Sequence, residues 1–384
     1  MKRLPAISVL LALSFALAAA AWADRAALLK AHAAYQRGDY PEAVKWWRRA
    51  SDHGDAEAQY NLAIAYDDGL GVQQDHVQAA KWYRAAAEQG LAVAQTSLGA
   101  LYDHGLGVPQ DFEEAVKWYR LATAQGEPFA QSNLATLYYD GLGVPQDYAE
   151  AARLYSLAAE QGDAHSQNSL GMMYEEGLGL RQDYDVAASW YRLAAEQGDP
   201  EAQYNLANLY LDGRGVPEDE REAAAWFRLA AENGDPDAQN SVGTLYEKGQ
   251  GISQSFEEAV RWYRLAAEQE NAYARYNLGA MYLEGRGVPQ NEREAARLIR
   301  LAAEQGAAQA QFELGLLHVE GRGVRQDYVA AKMWLSIAAV HGARGAETTG
   351  IMFQQFMTTS EIAEAERRAE AWLADFQAKQ GGAE

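Results

Sequence analysis

GEPFAQSNLATLYYDGLGVPQDYAEAARLYSLAAEQ, residues 126–161, decides the fold. Its pattern recurs eight times between Gly54 and His341, every 36 residues, without insertion or deletion. A fixed period of that length marks an array of small units, each burying its apolar face only by stacking on its neighbours. With Gly126 as position 1, positions 3–15 place Ala130, Leu134, Leu137 and Tyr138 at helical spacing and predict a first helix. Positions 22–36 predict a second, striped by Ala151, Leu154, Tyr155, Ala158 and Ala159. The copies run 54–89, 90–125, 126–161, 162–197, 198–233, 234–269, 270–305 and 306–341.

Between the two helices every copy keeps Gly-x-Gly and then an aliphatic residue, which uses sixteen of the 34 glycines. A glycine just past a helix end takes positive φ and closes the last turn. The aliphatic residue (Val72, Val108, Val144 and their equivalents) is expected to tuck under the helix pair. Position 22 is Asp, Ser or Asn in every copy, a helix N-cap. Glu or Gln follows three residues later in six of the eight copies and completes the pattern of a capping box. The second helix stops at Glu-Gln-Gly. Glu270 replaces that glycine in copy seven, which leaves Asn271 as the expected occupant of the strained position.

The motif A-x-x-x-L-G/A-x-x-Y-x-x-G-x-G-V-x-x-D followed by A-x-x-W-Y-R-x-A-A resembles the Sel-one-like repeat, a branch of the tetratricopeptide superfamily. The resemblance spans residues 54–341; copies three and seven depart from it with Leu154 and Leu298 in place of Trp. It implies an all-α fold, a right-handed solenoid of antiparallel helix pairs capped at both ends. Residues 24–53 form the expected N-terminal cap, a shortened pair with Trp46, Trp47 and Arg48 where W-Y-R falls later. Residues 342–378 form the expected C-terminal cap, its last helix opened by Thr358 and Glu361 and striped by Ile362, Ala365, Ala369, Trp372, Leu373 and Phe376. Residues 379–384 read as a frayed tail.

Residues 1–23 read as a secretory leader: basic Lys2 and Arg3, an apolar run from Leu4 to Ala20, and Ala21-Trp22-Ala23 as the cleavage site. The run is shorter than the roughly 20 residues a membrane span needs. Export to the periplasm or the medium is expected, with no membrane insertion after cleavage. The chain has no cysteine, so no disulfide framework holds it. Its net charge of −21 opposes nucleic acid, whose binding depends on neutralising phosphates, and favours a basic partner.

The residues offer little chemistry. The seven histidines sit at unrelated positions of different copies, without the spacing of a helix-borne zinc site. The Gly-x-Gly loops follow helices and lack Gly-Lys-Ser/Thr, so they are turns, not phosphate cradles. No stretch marks a nucleophile, and the abundant carboxylates include no pair set apart by environment. No enzyme activity, cofactor or metal is expected. Cysteine-rich relatives with activity proposed toward β-lactams or cell-wall fragments do not carry that role over, because those cysteines are missing here.

Function in a repeat array belongs to positions that vary while the framework stays fixed. In the first helix these are positions 4, 7, 11, 14 and 15, which share one helical face. By resemblance, that face lines the concave groove. It offers Tyr60, Asp67 and Asp68 in copy one, Phe129 and Tyr139 in copy three, Glu175 and Glu176 in copy four. Further along come Tyr204 and Leu211 in copy five, Tyr273, Tyr276 and Leu283 in copy seven, and Phe312 in copy eight. Position 15 is acidic in six of the eight copies. The expected site is therefore an acidic wall beside aromatic steps, with Tyr273, Tyr276, Leu283 and Phe312 as anchors for a protein or peptide. Phe312, Leu316 and Val319 have the alternative of packing under the C-terminal cap. The Trp column (Trp82, Trp118, Trp190, Trp226, Trp262, Trp334) reads as core rather than as a sugar-stacking ladder. An exported, non-enzymatic scaffold for an envelope or host-facing complex is the leading reading. Binding of peptidoglycan or polysaccharide is the alternative, and a cell-wall or β-lactam hydrolase the least supported.

Overall fold

The computed structural model describes residues 25–381, and every regular element among them is helical. The expected leader and residues 382–384 lie outside the described residues. The chain divides into two compact units, one ending at Trp190 and the next starting at Tyr191. The first holds α1 (25–36), α2 (Tyr40–Asp52), α3 (Ala56–Asp68), α4 (His76–Glu88), α5 (Ala92–His104), α6 (Phe112–Thr123), α7 (Pro128–Asp140), α8 (Tyr148–Glu160) and α9 (Ala164–Glu176). Helix α10 (Tyr184–Glu196) carries the division. The second unit continues with α11 (Pro200–Asp212), α12 (Glu220–Glu232), α13 (Pro236–Lys248), α14 (Phe256–Glu268), α15 (Ala272–Glu284), α16 (Glu292–Glu304), α17 (Ala308–Glu320), α18 (Tyr328–Val340), α19 (Ala346–Phe353) and α20 (Thr359–Gly381). Helix α20 runs through Gly381, so part of the expected tail is helix.

Within each unit a first helix packs on its own second helix, and that second helix packs on the next first helix, as α3 on α4 and α4 on α5. Each first helix of copies one to eight ends in a left-handed glycine, as Gly141 at φ 75° ends α7, and Leu142 N–H then closes the turn on Leu137 O at 3.0 Å. A loop glutamine completes the end: Gln146 Nε2 donates to Tyr139 O at 2.8 Å, and six other copies repeat that bond. Val72, Val108, Val144 and their equivalents pack half-buried against the cores, as expected.

The N-caps form as read; Asp147 Oδ1 accepts from the N–H groups of Ala149 and Glu150. The second half of the capping box does not form. Asp147 N–H is already spent on Tyr138 O at 2.9 Å, so Glu150 turns to Arg153 instead, with two bonds of 2.8 and 2.7 Å. Glu114, Glu258 and Glu294 likewise pair with Lys117, Arg261 and Arg297. A reciprocal box appears only at the head of α20 among the described residues, where Thr358 N–H donates to Glu361 and Glu361 N–H to Thr358 Oγ1.

The expectation for Asn271 is also overturned. Glu270 itself takes the left-handed conformation, at φ 68°, and Asn271 caps α15 with ordinary geometry. Glu270 is the only non-glycine with positive φ among the described residues, at a cost of roughly 1–2 kcal/mol.

The core places the aromatic columns differently from the sequence reading. Trp82, Trp118, Trp190, Trp226 and Trp262 are half-buried along the seams, and Trp334 alone of the column falls below a tenth exposed. The residue after each Trp is the true core: Tyr83, Tyr119, Tyr191, Phe227 and Tyr263 are at most 3% exposed. Two of these rings press on a glycine of the first helix, Tyr119 on Gly99 and Tyr263 on Gly243, where a methyl group would not fit.

Two polar ladders join neighbouring copies. A buried glutamine at position 6, such as Gln95, donates to Ala87 O at 3.1 Å and accepts from Gln125 Nε2 at 2.8 Å, 30 residues on. Similar bonds recur at Gln59, Gln203, Gln239 and Gln311. Arginines of the second helix donate to the tyrosine hydroxyl of the next copy, as Arg120 to Tyr138 at 2.6 Å and Arg192 to Tyr210 at 2.8 Å. At the C-terminal end α20 packs on α18, with Ala365 and Ala369 buried and Trp372 meeting Trp334 at 5.6 Å.

Candidate functional site

Both units carry the face formed by positions 4, 7, 11, 14 and 15 of the first helices. In the first unit Phe129 is 63% exposed, and Asp68 and Glu176 are exposed. Tyr60, Asp67, Tyr139 and Glu175 are half-buried. Tyr60 packs against the Tyr83 ring at 5.7 Å and Tyr139 against Tyr148 at 5.1 Å. Asp67 accepts from Tyr83 Oη at 3.3 Å and meets His76 Nδ1 at 2.8 Å, which makes it a partner of the core tyrosine as much as a surface charge. The acids of position 15, Asp68, Asp140 and Glu176, have no cation in ion-pair reach among the described residues.

In the second unit Tyr273 is 66% exposed. Tyr204 and Leu211 are half-buried, and Tyr204 packs on Phe227 at 5.4 Å. Tyr276 is half-buried against the C-terminal core. Leu283 is 6% exposed within that core, so it is not available as an anchor; α15 turns it inward beside Leu314 and Leu317. Val319 is buried, while Phe312 and Leu316 are half-buried.

The two units differ in charge. In the first, the residue between the loop glycines is leucine (Leu70, Leu106, Leu142, Leu178). In the second it is Arg214, Arg286 and Arg322, interrupted by Gln250. Each arginine reaches back to the position-15 acid: Arg214 to Asp212 at 2.7 Å, Arg286 to Glu284 at 2.6 Å, Arg322 to Glu320 at 3.5 Å. The acidic row is thus neutralised in the second unit and bare in the first. The arginines are plain in the sequence, but their pairing is a matter of loop geometry.

Burial, then the charges of Glu320 and Glu284, lifts the Glu313 carboxyl above its ordinary range, with Arg322 opposing. A carboxyl raised in the folded state binds its proton more tightly there than in the unfolded chain. Its contribution is therefore full below about pH 4.3, the free glutamate value, and is lost as pH climbs through the folded value. Glu313→Gln is expected to raise the thermal midpoint at pH 7 and to change it little at pH 4. Equal shifts at both pH values would remove burial of this carboxylate as a source of strain.

No three-residue cluster of metal-ligating side chains, and no helix long and apolar enough to cross a membrane, occurs among the described residues.

The Sel1 repeat family model matches residues 31–55, 56–91, 92–127, 128–163, 164–199, 200–235, 236–271, 272–306 and 308–342. The structure is similar to the crystal structure of c5321, a protective antigen present in uropathogenic Escherichia coli strains displaying an SLR fold. The two share 36% identity at a TM-score of 0.83, over 92% of this chain and 77% of that one. A Sel1 repeat protein from Oxalobacter formigenes is 35% identical over 63% of this chain and 99% of its own, at a TM-score of 0.59. No curated protein matches the chain. Repeat matches that run almost end to end along the helix pairs, together with this structural likeness, make the chain a member of the Sel1 repeat family.

Proposed function

We propose that this protein is an exported, non-catalytic scaffold that holds a basic segment of a partner protein or peptide against its first-helix face, in an envelope or host-facing assembly. Solenoids of the Sel1 repeat kind are protein–protein interaction scaffolds and typically carry no catalysis. One observation carries the finer reading: Phe129 and Tyr273 stand 63% and 66% exposed at position 4, on a face that bears the position-15 acids. Large exposed aromatics on a face whose carboxylates are unpaired in the first unit suit a partner that combines apolar and basic side chains. The bare acids Asp68, Asp140 and Glu176 support the first unit as the seat of the partner's basic part. The host-facing role is supported by the likeness to c5321, a protective antigen, and export by the leader pattern of residues 1–23.

The test is crosslinking and capture from intact cells with the full chain. A Phe129→Ala/Tyr273→Ala variant and a triple reversal of Asp68, Asp140 and Glu176 to Lys are run beside it. Each variant is expected to lower recovery of a specific protein at least tenfold with helicity unchanged, since all five side chains are exposed. Undiminished capture by both would refute the face assignment. Recovery of cell-wall fragments in place of protein would favour the glycan alternative.

A further inference from the structure

Copy seven breaks the repeat pattern at three places that meet in space. Glu270 replaces glycine, Arg275 replaces the ladder glutamine, and Leu298 replaces tryptophan. Arg275 has no acceptor, so of the two bonds that Gln269 makes one copy earlier, to Gln239 Oε1 and to Gly234 O, only the second has a counterpart, from Gln305 Nε2 to Glu270 O at 2.8 Å. Glu270 keeps its left-handed backbone and accepts from Arg275 Nη2 at 3.2 Å. Strain retained at one position of an otherwise regular array points to a use for that position.

A cavity of about 390 Å³ lies between α14, α15 and α16, walled by Arg264, Arg275, Leu278, Tyr282, Leu298 and Leu301 among others. Arg275 is 12% exposed in its side chain, and a single contact to the solvent-facing Glu270 leaves the rest of its fork available. Arg264 reaches the neutral Tyr282 hydroxyl at 3.5 Å and pairs with no carboxylate among the described residues. Arg297, in contrast, is held by both oxygens of Glu294. Arg264 and Arg275 therefore line one cavity with Leu278, Leu298 and Leu301, in a chain of net charge −21. Arg275, Leu278 and Tyr282 occupy positions 6, 9 and 13, on the opposite side of the first helix from the partner face.

We propose that this cavity is a second binding site that takes a carboxylate, the C-terminal carboxylate of a peptide. Arg275 and Arg264 grip its two oxygens, and Leu278, Leu298 and Leu301 receive the last side chain. Planar forks match carboxylates in bidentate fashion, and partial burial strengthens the contact. The volume lies in the range of small-ligand pockets, roughly 300–1,000 Å³. Glu268 at the rim supplies an acceptor for a peptide N–H, which a simple organic acid would not use.

The full chain is titrated calorimetrically with N-acetyl-alanyl-alanine, with its C-terminal amide, and with acetate. The free-acid peptide is expected to bind, and the amide and acetate at least tenfold more weakly. Arg275→Gln, which installs the residue of the other copies, should weaken the peptide at least tenfold with helicity retained. Leu298→Trp should refill the cavity and remove binding. Acetate as tight as the peptide would assign the site to free small acids and overturn the peptide reading. No binding of either acid, equal binding of acid and amide, or full binding by both variants would overturn the site.

Discussion

Gly143→Ala is expected to destabilise the array by about 3 kcal/mol or more, well beyond the same change at Gly141 or Gly162. All three glycines hold positive φ, at 67°, 75° and 94°. Backbone strain alone would cost each roughly 1–2 kcal/mol. The surroundings separate them. A Cβ on Gly162 meets nothing within 4 Å, and one on Gly141 stands 3.1 Å from Gln146 Cβ and 3.2 Å from its backbone nitrogen, which is tight but needs a shift of only a few tenths of an ångström. A Cβ on Gly143 would stand 2.5 Å from the carbonyl carbon and oxygen of Phe112, the first residue of α6 in the preceding copy. That contact is backbone to backbone, and only separation of neighbouring copies relieves it. Urea denaturation of the three variants should rank Gly143→Ala far below Gly141→Ala, with Gly162→Ala nearest to wild type. Equal midpoints for Gly143→Ala and Gly162→Ala would mean that the close approach contributes nothing to stacking.

Tyr119→Ala should cost about 4 kcal/mol and Trp118→Ala about half as much, although tryptophan is the larger residue. Tyr119 is fully buried against Gly99, and its hydroxyl donates to Asp103 at 3.2 Å. Removing it empties the middle of a helix pair and strands a half-buried carboxylate. Trp118 is half-buried at the seam between copies, and the chain already accepts leucine at that position in Leu154 and Leu298. Denaturation midpoints at unchanged slope give the two costs directly. A larger loss for Trp118→Ala would restore the tryptophans as the core.

Helix periods, the left-handed glycines and the N-cap aspartates depend on neighbours a few residues away, so residues 126–161 display them openly. The fate of Glu150 is different: it depends on a carbonyl at Tyr138 that competes for the Asp147 N–H, and a three-residue spacing rule sees only the spacing. Tyr119 and Trp118 are adjacent in the same apolar stripe, and a turn of 100° decides which is core. Leu283 occupies a position that elsewhere bears acids, yet packs inward. The glutamine ladder had a visible trace, a glutamine kept at position 6 in seven of the eight copies. A reading built on apolar periodicity passes over such a residue because its worth comes from a partner 30 residues away. Of the candidate face, the exposed aromatics and the acidic row were legible; the neutralisation of that row by Arg214, Arg286 and Arg322 was not.

The ladder bonds reach 30 residues forward and the arginine–tyrosine bonds 18, never past the next copy. A chain wired in this way can change length by whole units without inventing a new interface. Excision of residues 90–125 would join Gln89 to Gly126 and leave Gln131 to take up the bond that Gln95 makes to Ala87. Duplication would work in the same way in reverse, so the reach of such a protein is open to inheritance by simple recombination. Copy seven is the exception. Glu270 pairs with Arg275, Arg275 and Leu298 line one cavity, and a unit with glycine, glutamine and tryptophan at those three positions would restore the regular pattern there.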